Sequence, residues 1–240
     1  MKAYFNGIEL TERFLLSDLS RPIPGTDVET VGVSGRDGVL IKSVKLLPGA
    51  VSFTLWPHWM NESELREAVR ELAAIMAVKE PAKLEFSDDD GLYYMAIPND
   101  VMAVREFVDA FAVDCAFILP SPAMYGVERT VTVPSGGSVT FNVGGTYPTK
   151  PVITANATRN SSSQVWGIRL DERDFIHIAT GSASARTVAV DCNERTCVVN
   201  SSVSMITLDS DWLELEPGMH TLRMDNGTGA ATVTFRERWL

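Results

Sequence analysis

Three histidines, three cysteines and a run of aspartates are the residues of this 240-residue chain best equipped for chemistry. His58, His177 and His220 stand far apart, and none falls in a spacing that marks a metal site or a Ser-His-Asp set. His177 alternates with Ile176 and Ile178, so it reads as a strand residue turned to the face opposite theirs. Asp88, Asp89 and Asp90 precede Gly91, a pattern that invites calcium. A helix-flanked calcium loop also needs a late bidentate Glu. Here Phe86 and Leu92 bracket the run as strand residues, so it reads as a solvated hairpin tip. Gly32, Gly35 and Gly38 could suggest a phosphate cradle, but such loops follow a strand and open a helix. Extended sequence lies on both sides of these three.

The cysteines point away from catalysis. Cys192 and Cys197 bracket Asn193 to Thr196, a four-residue hairpin turn across which two thiols could face each other. A zinc site would need two more ligands, and no histidine is near in sequence. In a reducing cytoplasm they read as free thiols, and Cys115, inside an apolar run, reads as core. No catalytic set, cofactor motif or metal set emerges, and there is no Gly-x-Ser-x-Gly elbow. Paired carboxylates for glycoside hydrolysis meet only in three dimensions, and nothing here favours them. Aromatic residues offer a binding role instead. Tyr147, Trp166 and Trp212 could present rings to the C–H faces of a sugar. The alternative puts Trp166 in the core and leaves the other two as surface or edge residues.

The elements that would carry these residues are mainly strands. Asn6-Gly7 marks a hairpin turn within Tyr4 to Leu10. Val28 to Val33 and Val39 to Leu47 alternate apolar with polar around Gly35-Arg36-Asp37-Gly38, and Val51, Phe53 and Leu55 share a strand face. One helix is expected. Asn61 and Glu64 form a capping-box pattern, Leu65, Val69, Leu72 and Met76 make an apolar stripe, and Pro81 ends it. A second hairpin runs from Lys83 to Phe86 and from Leu92 to Ile97. Val101 to Leu119 fits both periods, with a strand expected in its second half. From residue 127 onward the chain is rich in Thr, Val, Ser and Gly, with turn signals at short spacing, as in a β-sandwich. Ten strands are expected there: 127–133, 138–143, 151–158, 164–170, 174–180, 186–191, 197–200, 205–208, 220–225 and 230–237. Asn142 to Ile153, with two glycines and two prolines, closes one β-segment and opens the next.

Composition narrows the function class. With 45% hydrophobic and 22% charged residues the chain can fill real cores. Its apolar runs are too short for a helical membrane span, and Asn6, Glu9, Glu12, Arg13 and Asp18 make a secretory leader unexpected. The net charge of −10 is uneven: residues 1–125 carry 11 Lys and Arg against 19 Asp and Glu, and residues 126–240 carry 10 against 12. An acidic first half argues against phosphate-backbone binding.

The ordered series of turns resembles the distal tail protein family of siphophages, the long-tailed, non-contractile bacteriophages. It runs from Phe5-Asn6-Gly7-Ile8-Glu9-Leu10 through Arg21 to Gly35-Arg36-Asp37-Gly38. The helix at 61–77 and the Leu84 to Tyr94 hairpin follow in the family's order. Next come the Phe117 to Tyr125 junction and then Asn142, Gly144-Gly145-Thr146, Pro148-Thr149 and Pro151. Asp211, Leu215, Pro217-Gly218 and Phe235 to Trp239 complete the match. The resemblance implies a mainly β fold with two domains. Residues 1–125 would be a β-sandwich or belt domain with one helix and a hairpin. Residues 126–240 would be a galectin-like β-sandwich.

It further implies a homo-hexameric ring at the virion tail tip, made in the host cytoplasm. The ring would join tail-tube proteins to a tail-tip protein, with a receptor-binding protein as a further partner. DNA would pass through without specific binding, and no enzyme activity or cofactor is implied. The sugar-contacting His, Asn, Arg and Trp order of galectins is not reproduced by His177, Asn193 and Trp212. A glycan-binding module or tail adhesin is therefore the alternative function.

Overall fold

A computed structural model describes residues 1–58, 60–89, 91–99, 104–106, 111–160, 162, 164–180 and 184–240. The chain divides into two compact units, one of Met1–Tyr125 with Leu240 and one of Gly126–Trp239. In the first unit β1 (Ala3–Phe5) and β2 (Ile8–Glu9) pair across Asn6 and Gly7, both in the left-handed region. β3 (Phe14–Ser20) leads to β4 (Thr26–Gly32) and β5 (Val39–Leu46), which among the described residues form a two-stranded sheet of their own. β6 (Gly49–Pro57) lies between β3 and the later β10 (Phe111–Leu119). Between them come α1 (Glu62–Met76), β7 (Ala82–Phe86), β8 (Tyr93–Pro98) and β9 (Val104–Glu106). The second half of the ambiguous segment is thus a strand; Val101 to Ala103 and Phe107 to Ala110 lie outside the described residues.

The capping box forms as its spacing predicts. Glu64 N–H donates to the Asn61 side chain at 3.0 Å, and Asn61 N–H donates to the Glu64 carboxylate at 2.9 Å. The helix buries Leu65, Ala68, Leu72 and Met76. The expected stripe named Val69, which is half-buried, where Ala68 lies deepest. The helix ends at Met76, before Pro81, because Ala77 leaves the helical basin at ψ 56. Phe117 stands at the centre of the core, 5.1 Å from Phe5 and 5.6 Å from Phe53 between ring centroids. No helix among the described residues is long and apolar enough to cross a membrane.

The second unit is a two-sheet β-sandwich. Its strands are β11 (Met124–Val133), β12 (Ser138–Val143), β13 (Val152–Ala157), β14 (Val165–Leu170), β15 (Asp174–Ala179), β16 (Arg186–Asp191), β17 (Thr196–Val199), β18 (Ser202–Ser204), β19 (Gly218–Asn226) and β20 (Ala231–Trp239). One sheet runs β18-β17-β16-β13-β20-β11 and the other β12-β19-β14-β15. The strand expected at 205–208 does not form. Ile206 makes one isolated bridge to Ile178, and the strand falls earlier, at Ser202–Ser204. Inward-facing Ile153, Val190 and Val233 from the first sheet pack with Ile168, Ile176 and Leu222 from the second.

Candidate assembly surface

The β4–β5 hairpin is the feature of the first unit that its own packing does not explain. Not one of its strand residues is buried. Pairing runs Val28 to Val44 and Glu29 to Ser43, then skips to Thr30 opposite Ile41, so Lys42 is an extra, unpaired residue. This β-bulge resolves a phase slip in the sequence: Val39 and Ile41 are odd-numbered, Val44 and Leu46 even. With one residue taken out of register, all four share a face with Val28. Val28, Val39, Ile41 and Val44 remain 44%, 59%, 67% and 57% exposed. The opposite face is mixed: Asp27 pairs with Lys45, Val31 with Leu40, and Lys42 donates to Glu29 at 2.6 Å. An isolated two-stranded ribbon is marginal in water, and an exposed apolar face of this kind marks an interaction surface. A second apolar feature of this unit is a pocket of about 260 Å³ beside α1, lined by residues that include Val69, Ala73, Met76, Pro98 and Val113.

The residues singled out for chemistry lie in other settings. Gly32, Gly35 and Gly38 belong to the hairpin and its tip, with extended strands on both sides. Asp88 and Asp89 are held by Arg21, at 2.6 and 2.8 Å, and Asp90 lies outside the described residues. The Arg21 hydrogen bond keeps the Asp88 carboxyl below its ordinary value, against a smaller opposing effect of burial. The guanidinium also lies 4.7 Å over the Phe86 ring. Arg21 therefore anchors the hairpin tip, a role invisible from a residue 67 positions away in sequence. His58 is exposed.

His177 faces away from Ile176 and Ile178, as its alternation predicts, and belongs to an ionic cluster on the four-stranded sheet. Its Nε2 lies 2.5 Å from Asp225 Oδ2, while Arg169 donates twice to the same carboxylate at 3.1 and 3.0 Å. Gly167 makes room for the imidazole, since a Cβ there would collide with it. Burial pushes the Asp225 carboxyl up, but the bonds from Arg169 and His177 outweigh it and hold the group below its ordinary value. The cluster ties β14, β15 and β19 together.

The three aromatic candidates separate by burial. Trp166 is a correction: its ring is 0% exposed, enclosed in the sandwich core, and offers no surface to a sugar. Trp212 is half-buried against that core, and the Tyr147 ring lies 4.8 Å from the Arg238 guanidinium stacked over it. Cys192 and Cys197 are free and buried; the register pairs Cys197 with Val190, so the two thiols are not directly opposed. Burial pushes the Cys192 and Cys115 thiols up to about 12. Among the described residues no cluster of three or more His, Cys, Asp or Glu side chains could hold a metal ion.

Comparison with known proteins places this geometry. The family model for a phage tail protein RIFT-related domain matches residues 7–118. That for the C-terminal domain of the siphovirus-type tail component matches residues 144–239. The distal tail protein of Bacillus phage SPP1 is 24% identical over 243 residues, spanning 98% of this chain and 94% of the relative. The crystal structure of the SPP1 protein, described as a paradigm of hub adsorption apparatus in phages infecting Gram-positive bacteria, superposes with a TM-score of 0.80. It is 18% identical and covers 100% of this chain and 99% of that one. A chain of the phage p2 baseplate in its strontium-activated conformation gives a TM-score of 0.51 at 9% identity, over 98% and 97% of the two chains. Two family models in chain order, with a relative matched end to end, show that this chain belongs to the distal tail protein family of siphophages.

Proposed function

We propose that the chain is a structural hub of a siphophage tail, working through interfaces rather than catalysis. Six copies close through their first units into a ring that joins the tail tube to the tail-tip apparatus, with the second unit as a galectin-like decoration. The observation that carries the reading is the β4–β5 arm, whose apolar face is left open by the unit that bears it. A ring of identical subunits needs two different patches, one on each side of the copy. The arm is one; the apolar pocket beside α1 is the other. The excess of carboxylates in residues 1–125, 19 against 11 basic residues, suits a ring that lets DNA pass without holding it.

The reading is tested by light scattering and negative-stain imaging of the full chain, alone and with its tail-tip partner. Wild type forms six-membered rings above a threshold concentration. Ile41→Asp with Val44→Asp leaves a folded monomer, and a cysteine pair at Ile41 and Ala73 cross-links neighbouring copies. Wild-type protein that stays monomeric even with the partner present overturns the proposal.

A further inference from the structure

The segment that follows β18 runs as a strap along β15, the outermost strand of the four-stranded sheet. Ile206 bridges to Ile178, Thr207 N–H donates to the His177 carbonyl at 2.9 Å, and Asp211 N–H donates to the Phe175 carbonyl at 2.9 Å. Ser210 Oγ accepts from His177 N–H at 2.9 Å. The inner side of the strap is thereby fastened to the sheet from Ile206 to Asp211. Between these fastenings the chain makes a closed turn. Ser210 N–H donates to the Thr207 carbonyl at 3.0 Å, and the two hydroxyl oxygens lie 2.8 Å apart. Leu208 and Asp209 form the tip of that turn.

The strap also carries apolar side chains that stand in water. Val203, Met205 and Leu208 are 90%, 78% and 103% exposed. Val203 lies on β18, the last strand of its sheet, opposite Val198. An apolar side chain kept in water forgoes the burial that stabilises a fold. At Leu208 the exposure does not come from fraying, because hydrogen bonds on both sides of the tip hold it out. A group held in place beforehand loses little freedom when it docks, and a cluster of such residues marks an interaction surface.

The charge around the strap has one sign. No Lys or Arg occurs between Arg195 and Arg223, a stretch that contains Asp209, Asp211, Glu214 and Glu216. Asp209 and Asp211 are exposed, and among the described residues neither is in an ion pair. The hydrogen bond from Thr207 holds the Asp209 carboxyl below its ordinary value, so it is ionised throughout the neutral range. Two straps set face to face would bring like carboxylates together, and an anionic lipid surface would meet the same repulsion.

We infer that the strap is the docking site of a second, different protein, which receives Leu208, Met205 and Val203 in an apolar socket rimmed by Lys or Arg. The surface belongs to the second unit, whereas the arm and the pocket proposed to close the ring belong to the first. The inference therefore goes beyond ring formation and does not depend on it.

The test is a binding titration of the full chain against the purified tail-tip protein and the purified receptor-binding protein of the same tail. Phosphatidylglycerol vesicles serve as a third probe, and sedimentation reads self-association. Saturable binding to one of the two proteins is expected. Leu208→Asp should weaken it on the order of ten- to a hundredfold, the worth of one buried leucine. Asp209→Asn with Asp211→Asn should weaken it less and remove most of its salt dependence. These side chains are exposed, so the melting temperature should hold in every variant; Met205→Asp replaces Leu208→Asp if the latter melts early. Ile41→Asp with Val44→Asp, which opens the proposed ring, should leave the binding of each subunit in place, so failure of the ring and failure of the strap are told apart. Binding by neither protein, or binding that the strap variants leave unaltered, overturns the inference. Vesicle binding or self-association that Leu208→Asp abolishes overturns it too.

Discussion

Gly145→Ala is the substitution whose cost the structure lets one work out. Gly145 sits at φ +98, where an L side chain is strained, and an added Cβ would run into the carbonyl oxygen of Arg238. That oxygen also accepts from Thr146 N–H at 2.9 Å and Tyr147 N–H at 3.1 Å. The backbone strain costs roughly 1–2 kcal/mol, and displacing the carbonyl weakens two hydrogen bonds of about 1 kcal/mol each. Together these come to about 3–4 kcal/mol, a large share of the roughly 5–15 kcal/mol that holds a domain folded. Gly136→Ala supplies the comparison within the same unit, because Gly136 has φ +66 but open space around its absent side chain. It should cost only the backbone part. Native-state hydrogen exchange at Ile153 and Val233, paired strand residues in the core of the second unit, reads the stability of that unit alone. Equal losses in the two variants would refute the claim that the approach of Arg238 is why residue 145 is glycine.

The other predictions concern the cap, the thiols and the ionic cluster. Asn61→Ala should destabilise the first unit by about 1 kcal/mol in urea unfolding, with Asn61→Ser recovering most of it. Cys115 and Cys192, buried and with thiols pushed up to about 12, should resist an aromatic disulfide reagent at pH 8 and react fully in denaturant; rapid native labelling would contradict their placement. Asp225, held low by Arg169 and His177, contributes stability that is present above the ordinary carboxylate range. That contribution is lost as pH falls through its lowered value. Asp225→Asn should remove this acid-side loss in thermal melts and lower the melting temperature at neutral pH, where Arg169 and His177 lose the carboxylate they share.

Local signals were legible where the partner is local. The Asn61–Glu64 box, the Asn6-Gly7 turn and the outward-facing His177 could all be named from spacing, because each depends on neighbours a few residues away. The 205–208 segment was misplaced for the opposite reason. Its alternation suits a strand, but the position of β18 depends on where β17 offers an edge, and Ile206 finds only Ile178 of the other sheet. Trp166 looked like a possible sugar platform because nothing nearby in sequence reports that two sheets enclose it. The arm was readable as a hairpin but not as one with an exposed apolar face. The phase slip between Ile41 and Val44 acquires meaning only against the register of β4. His220 Nδ1 lies 2.5 Å from Asp171 Oδ2, a contact across 49 residues that left no trace in any motif.

The bulge at Lys42 also bears on how many copies can join. A straight apolar ribbon with two open edges is a template for endless strand addition, the route to fibres. A supernumerary residue interrupts the hydrogen-bond ladder and twists the strand, and its ammonium beside Glu29 sets charge on that stretch of edge. Such an arm can offer its flat side to a neighbour but makes a poor template at its edge. In the ring proposed above, the bulge thereby discourages stacking without end and favours closure at a fixed number. Deleting Lys42 would keep every apolar side chain on its present face while restoring a clean edge, and on the proposed reading should turn rings into filaments in negative-stain images.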